Sequence, residues 1–168
     1  MTDTQKQFFE RIDRLNSGER ASLRRSAGMA LGEADGSAMA AFYKCLPVAV
    51  DVWQEEKWFA IACLRCLWEP GGDEGKPIEE LISELINNGE LSDSTRHRIE
   101  ILLDTKWDKD GYMLSKLVRT IKLVRQKSDR SRIDFSKLLE DLLNWNHERQ
   151  IVQRKWARAI FSNTKEEQ

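Results

Sequence analysis

Apolar residues recur at intervals of three and four along nearly the whole chain, and strand-forming residues nowhere alternate with polar ones over a strand's length. The pattern predicts an all-α fold, a compact helical bundle. Phe8, Phe9, Ile12 and Leu15 mark the stripe of a first helix, which Asn16, Ser17 and Gly18 stop. Asn16 and Glu19 have capping-box spacing and open a short second helix through Leu23, Arg24 and Arg25. Gly28, Gly32 and Gly36 make the following stretch poorly helical. A third helix is expected over 37–46, ended by Pro47. A fourth, over about 51–68, has aromatic and aliphatic residues on most faces, as a buried helix does.

The clearest break is EPGGDEGKP at 69–77, with three glycines and two prolines. It predicts a loop and a candidate boundary between two small lobes within a helical domain spanning 1–162. Pro77 suits a first helical position and starts a helix over 78–88, stopped by Asn87, Asn88 and Gly89. Ser92 caps the next, through Ile99 and Leu103. Asp108, Lys109, Asp110 and Gly111 form a turn before a helix over 112–126. Asp134 caps a pair of helices, 135–145 and about 148–162, and the tail 163–168 is expected to fray.

The chain's 168 residues, 40% apolar and 33% charged, suit one ordinary domain or two small ones. No run approaches the ~18 apolar residues of a membrane span, and the first residues lack the charged and apolar regions of a signal peptide, so a cytoplasmic protein is expected. Cys45, Cys63 and Cys66 are too few and too closely grouped to staple the fold, which fits a reducing compartment. A formal net charge of -1 is not that of a free-standing polycation. It conceals an asymmetry. Residues 112–160 hold twelve Lys/Arg against five Asp/Glu, a local +7 that leaves -8 for the remainder.

The residues supply no catalytic constellation. Cys63 and Cys66 have CxxC spacing but lie inside an apolar helical run, without a second pair for zinc or a preceding strand, and read as core. His97 and His147 are far apart in polar segments and belong to no metal-binding pattern. Carboxylate pairs such as Glu79/Glu80 and Glu140/Asp141 read as ordinary solvent-facing helix positions. Neither an enzyme nor a cofactor or metal site is expected. The six tryptophans fall largely on apolar stripes and read as core; Trp107, between Lys106 and Lys109, is the one candidate for stacking a base.

The basic residues are more informative. On a helical wheel Lys116, Arg119 and Lys122 share a ~120° arc opposite Met113, Leu114, Leu117, Ile121 and Val124. Arg154, Lys155 and Arg158 share ~100° opposite Val152, Trp156 and Ala159, while Ile151 and Phe161 fall off this pattern as candidate contacts for another helix or subunit. Arg24 and Arg25 have no acidic residue after them until Glu33. Cations held on rigid helices suit a phosphate backbone, read without base specificity and released by salt. With so little net charge, such faces would work best inside a larger assembly that already presents the nucleic acid.

Several segments, in order, resemble the CasB family, small subunits of the type I-E CRISPR surveillance complex Cascade. They are Gly18-Glu-Arg-Ala-Ser-Leu-Arg-Arg25, the stretch 117–125, Ile133-Asp134 leading to Leu138, Leu139, Leu142 and Trp145, and Val152 through Trp156-Ala-Arg158. The resemblance implies a non-catalytic all-helical subunit, present as a pair beside other Cascade subunits, crRNA and target DNA. Its implied task is to hold the assembly together and to support the R-loop, in which contacts to a displaced strand tip a near-balanced exchange. Carried over, the Leu-Arg-Arg motif falls on Arg24 and Arg25, the basic helix face on Arg119 with Lys122 and Arg125, and the terminal motif on Arg154 and Arg158 with Lys155 beside them. Arg96 and Arg98 occupy a further basic position, and Lys57 a looser one. The competing expectation is a purely structural adaptor whose arginines pair with carboxylates of neighbouring proteins.

Overall fold

A computed structural model describes residues 1–70, 75–108, 110–128 and 131–162. Helix starts follow from local chemistry. Thr2, Asn16, Asp35, Ser92 and Asp134 sit in extended backbone, and each accepts a hydrogen bond from the N–H three residues on. They open α1 (Asp3–Asp13), α2 (Ser17–Arg25), α3 (Gly36–Cys45), α6 (Asp93–Asp104) and α8 (Phe135–Leu143). At Thr2 and Asn16 the box closes reciprocally through Gln5 and Glu19. The remaining helices are α4 (Glu55–Arg65), α5 (Ile78–Asn87), α7 (Tyr112–Lys127) and α9 (Ile151–Phe161). Among the described residues there is no β-strand, only one isolated bridge between Lys76 and Ile133. The glycine-rich stretch holds a short 3-10 turn, Leu31–Glu33.

Several expected boundaries shift for physical reasons. α4 begins at Glu55, because Val52–Gln54 forms a 3-10 turn that carries Trp53 outward. Pro77 is the residue before α5 rather than its first turn. α5 ends in a Schellman arrangement, with Gly89 at φ 70, its N–H on the Ile86 carbonyl and the Glu90 N–H on Leu85. α9 starts at Ile151 because Gln150 takes a left-handed φ of 50, which breaks the helical run expected from 148. Residues 71–74 of the expected loop, Lys109 of the expected turn and the tail 163–168 lie outside the described residues.

Every residue from Trp58 to Arg65 of α4 is buried, so this helix is the axis around which α2, α7 and α8 pack. α1 packs on α3, α5 on α9 and α7, and α6 on α7 and α9. One cluster of buried apolar side chains runs from Phe8 to Ile160, so helices before and after 69–77 share a single core. The end of that connection is tied down where Lys76 donates its N–H to the Arg132 carbonyl and its own carbonyl accepts from Asp134, both at 2.8 Å. Trp58, Trp68, Trp145 and Trp156 lie in the core, as do all three cysteines. Burial raises the Cys45 and Cys66 thiols to about 12 and 11, so they pack as neutral groups.

Buried carbonyls near and beyond helix ends must find donors from within the protein. Arg20, 5% exposed, donates to the carbonyls of Ile12 at 3.2 Å and Trp68 at 2.7 Å, and so joins α1, α2 and the segment after α4. Arg20→Ala leaves both oxygens without this partner and should lower unfolding free energy by about 2–4 kcal/mol, read from the urea midpoint.

Candidate nucleic-acid interface

α7 presents its expected apolar side to the core: Met113, Leu114, Leu117, Val118, Ile121 and Val124 are buried. Arg119, Lys122, Arg125 and Lys127 stand exposed on its outer side. Among the described residues no ion pair engages Arg119 or Lys122. Successive members of the Arg119, Lys122, Arg125 series rise by ~4.5 Å along the helix. Lys116 belongs less to this row, because its Nζ lies over the Tyr112 ring at 4.2 Å.

The Arg125 end of that row reaches the segment after α4, to which the end of α2 is also tied. Arg125 lies over the Trp68 ring at 5.9 Å, and the Cβ position of Gly28 lies 3.9 Å from Val118 of α7. Arg24 donates from Nε to the Cys66 carbonyl at 2.9 Å. Arg65 and Arg132 both donate to the Glu69 carbonyl, at 3.4 and 3.2 Å. With Arg20 on Trp68, four guanidinium groups thus surround the carbonyls that follow α4, where the helix dipole also favours positive charge. Asp13, 2.7 Å from Arg65, offsets part of this charge. Arg24 is exposed, yet its guanidinium is first of all a tether on the backbone of the segment after α4. Arg25 is exposed as well, reaching Ser22 Oγ at 3.4 Å, and its charge helps hold the Asp35 carboxyl below its ordinary value, after the hydrogen bonds Asp35 accepts from Ala38 and Ser37.

The other candidates lie elsewhere. Arg96 is half-buried and Arg98 exposed on α6, which packs against α7; neither has an ion pair among the described residues. Arg154 and Arg158 are exposed on α9, likewise without an ion pair among the described residues, and α9 sits on α5 and α6. Thus Arg24 and Arg125 both reach the segment after α4, Arg119 and Lys122 precede Arg125 along α7, Arg25 stands by Ser22 and Asp35, and the α9 pair forms a second cationic surface.

Lys155 does not fit the expectation of a backbone-binding cation. Its Nζ contacts Asp141 Oδ1 and lies 3.8 Å from Glu79 Oε1. Asp141, buried and expected to face solvent, also accepts from the Trp156 indole N–H at 2.8 Å. Glu79, equally buried, likewise departs from its expected solvent position, and burial raises its carboxyl above the ordinary 4.5, against the opposing pull of its own backbone N–H and Lys155. The triad ties α5, α8 and α9 together. Trp107 is half-buried: Asn146 donates to its carbonyl and accepts from its N–H, and Lys57 lies 5.7 Å over its ring. One face is therefore occupied by a cation rather than open to a base. Among the described residues no three His, Cys, Asp or Glu side chains gather as a metal site, and no helix is long and apolar enough to cross a membrane.

These features define an all-helical protein with cationic helix surfaces set apart from its core and from its internal ion pairs. The family model of the CRISPR-associated protein Cse2 matches residues 19–161, and the chain belongs to the Cse2 family. A Cse2-family CRISPR-associated protein from Thermus thermophilus is similar over 96% of this chain and 99% of its own, at 26% identity and a TM-score of 0.76. A structure of CasB from the same organism gives 26% identity and 0.75, over 96% and 99%. A chain of a CRISPR RNA-guided surveillance complex shares the fold at 24% identity and 0.69, over 94% and 88%. Structures called CasB and Cse2 thus match the same length of this chain, in agreement with the resemblance seen in the sequence. No curated protein matches it significantly.

Two predictions separate the structural cation from the exposed ones. Lys155→Gln should lower stability by about 1–2 kcal/mol, discounted for its half-exposed position, while Arg154→Gln should leave stability within about 0.5 kcal/mol of wild type, both read from thermal unfolding. The raised Glu79 carboxyl contributes stability that is fully present below 4.5 and lost as pH rises through its folded-state value. Glu79→Gln should therefore stabilise the protein at pH 7 and flatten that part of the pH profile, as followed by thermal unfolding from about pH 4 to 8.

Proposed function

We propose that this chain is a non-catalytic small subunit of a type I-E crRNA-guided surveillance complex in the cytoplasm, where it grips nucleic-acid backbone and stabilises the R-loop by holding the displaced DNA strand. Membership of the Cse2 family supports the subunit role, and the likeness in fold to a chain of a surveillance complex agrees with it. The observation that carries the nucleic-acid reading is the exposed row Arg119, Lys122 and Arg125 on α7, none of whose three members has an ion pair among the described residues. Buried cations find partners inside the fold; these are left for a polyanion. Contacts of this kind read charge and spacing rather than sequence, and a few suffice to tip an exchange between nearly equal duplexes.

The subunit works as one of a pair beside other Cascade subunits, with Arg24 and Arg25 at the end of α2 adding their charge and Arg154 and Arg158 providing the second surface. A net charge of -1 makes the free chain a weak binder, and assembly supplies the local concentration that makes its cations effective.

The test is charge reversal at Arg119, Lys122 and Arg158. In the assembled complex, target-DNA retention should fall and the slope of log K against log salt should drop by about 0.7 for every phosphate no longer neutralised, or about 2 when three phosphates of a single strand are freed. Incorporation of the subunit should stay near wild type. Unchanged retention and slope at moderate salt overturn the nucleic-acid reading; failed incorporation with normal retention per assembled complex establishes the adaptor in its place.

A further inference from the structure

The segment between α3 and α4 breaks the rule that large apolar side chains turn inward. Val48 is fully exposed, Val52 80% and Trp53 72%, whereas the intervening Val50 packs against the core and Pro47 is buried. The segment is not a loose loop. Val50 donates its N–H to the Pro47 carbonyl at 3.1 Å, and Gln54 to Asp51 at 2.9 Å, so two inward anchors and two turns hold an outward apolar knob. Tyr43 of α3 extends it, half-exposed, with its hydroxyl donating to Glu55 at 2.8 Å.

The rim of this knob is acidic. Asp51, Glu55 and Glu56 carry its charge, Glu56 also accepting from the Leu31 N–H at 2.9 Å; no Lys or Arg occurs from residue 48 to 56, and the half-buried Lys57 that follows lies over the Trp107 ring. Resting on the subunit role proposed above, we infer that the knob of Val48, Val52 and Trp53 is a docking surface for a different protein subunit of the same assembly, one offering an apolar recess edged by Lys or Arg.

Three considerations select that occupant. A nucleic acid stacked on Trp53 would bring its phosphates beside three carboxylates, and like charges so placed repel. A two-fold contact between copies would set the same acidic rim against itself, since an isologous interface uses one patch twice. A head-to-tail contact with the chain's own cationic surfaces lacks a matching apolar recess, because none of the exposed large apolar residues among the described residues lies on α7 between Arg119 and Arg125, and α9 offers only Ile151, a single protruding side chain, beside Arg154 and Arg158. What remains is a basic, concave protein surface. Tryptophan held rigidly at the centre of a small patch is the kind of anchor that dominates such interfaces.

The experiment titrates wild-type chain, Trp53→Ser/Val52→Ser and Asp51→Lys into crRNA-bound complex assembled without this subunit. The expected result is at least tenfold weaker incorporation for the double variant and severalfold weaker for Asp51→Lys, most marked at low salt, with unchanged helical circular dichroism and thermal midpoint. Wild-type incorporation of both variants overturns the inference. So does normal incorporation with impaired DNA retention, which makes the occupant a nucleic acid, or loss of self-association of the isolated chain in sedimentation, which makes it a second copy. The Arg119→Glu/Lys122→Glu variant runs alongside: its failure to change DNA retention would sink the nucleic-acid reading while leaving the Trp53 result standing.

Discussion

The end of α4 is the constraint to which the rest of this molecule answers. A helix buried from Trp58 to Arg65 closes on itself, the carbonyls of Ala62, Leu64 and Arg65 accepting from the N–H groups of Cys66, Leu67 and Trp68, so it is the carbonyls just beyond it, at Cys66, Trp68 and Glu69, that need side-chain donors. Four guanidinium groups meet that need: Arg20 and Arg24 from α2, Arg65 from α4 itself, and Arg132 from the segment before α8. Each donor fixes the position of the element that carries it. Guanidinium suits the task because its fork of donors serves two acceptors at once, as Arg20 does on Ile12 and Trp68.

This structural use of cations sorts the basic residues into two populations. Arg20, Arg24, Arg65 and Lys155 answer carbonyls or buried carboxylates and shape the fold. Arg119, Lys122, Arg154 and Arg158 sit on outer helix faces, where holding a side chain still for an internal partner would cost rotamer entropy for little return. The two meet at one place: Arg24 ties the end of α2 to the segment after α4, over whose Trp68 lies Arg125, three residues beyond Lys122 on α7.

Local rules explain what could be read in the sequence. The helical class, the caps at Asn16, Ser92 and Asp134, the buried α4 and the outward cations of α7 depend on residues within a turn or two of one another. What escaped depends on partners distant along the chain. A helical wheel places Lys155 on a polar arc but does not show Asp141, fourteen residues earlier, buried beneath it. Arg24 has no nearby carboxylate, and its partner is a carbonyl 42 residues away. Glu79 read as solvent-facing because its apolar surroundings come from other helices. Trp53 read as core because it falls within the apolar helix expected over about 51–68, while the 3-10 turn at 52–54 rotates it outward. Nothing local distinguishes it from Trp58, five residues on and 4% exposed.

A chain of net charge -1 that carries +7 over 112–160 must hold its acids elsewhere, and their placement matters as much as that of the cations. Acids among the α7 row would neutralise it at the short range over which surface charges act in salt, roughly 8 Å under physiological conditions. Instead Glu79 is buried beside Lys155, and Asp51, Glu55 and Glu56 lie in and beside the apolar segment between α3 and α4. The molecule thus keeps a low net charge, which limits indiscriminate attraction to any polyanion, while leaving a local positive field on the outer face of α7. Near-neutrality and a cationic face are therefore compatible properties of one chain, because screening makes charge a local quantity.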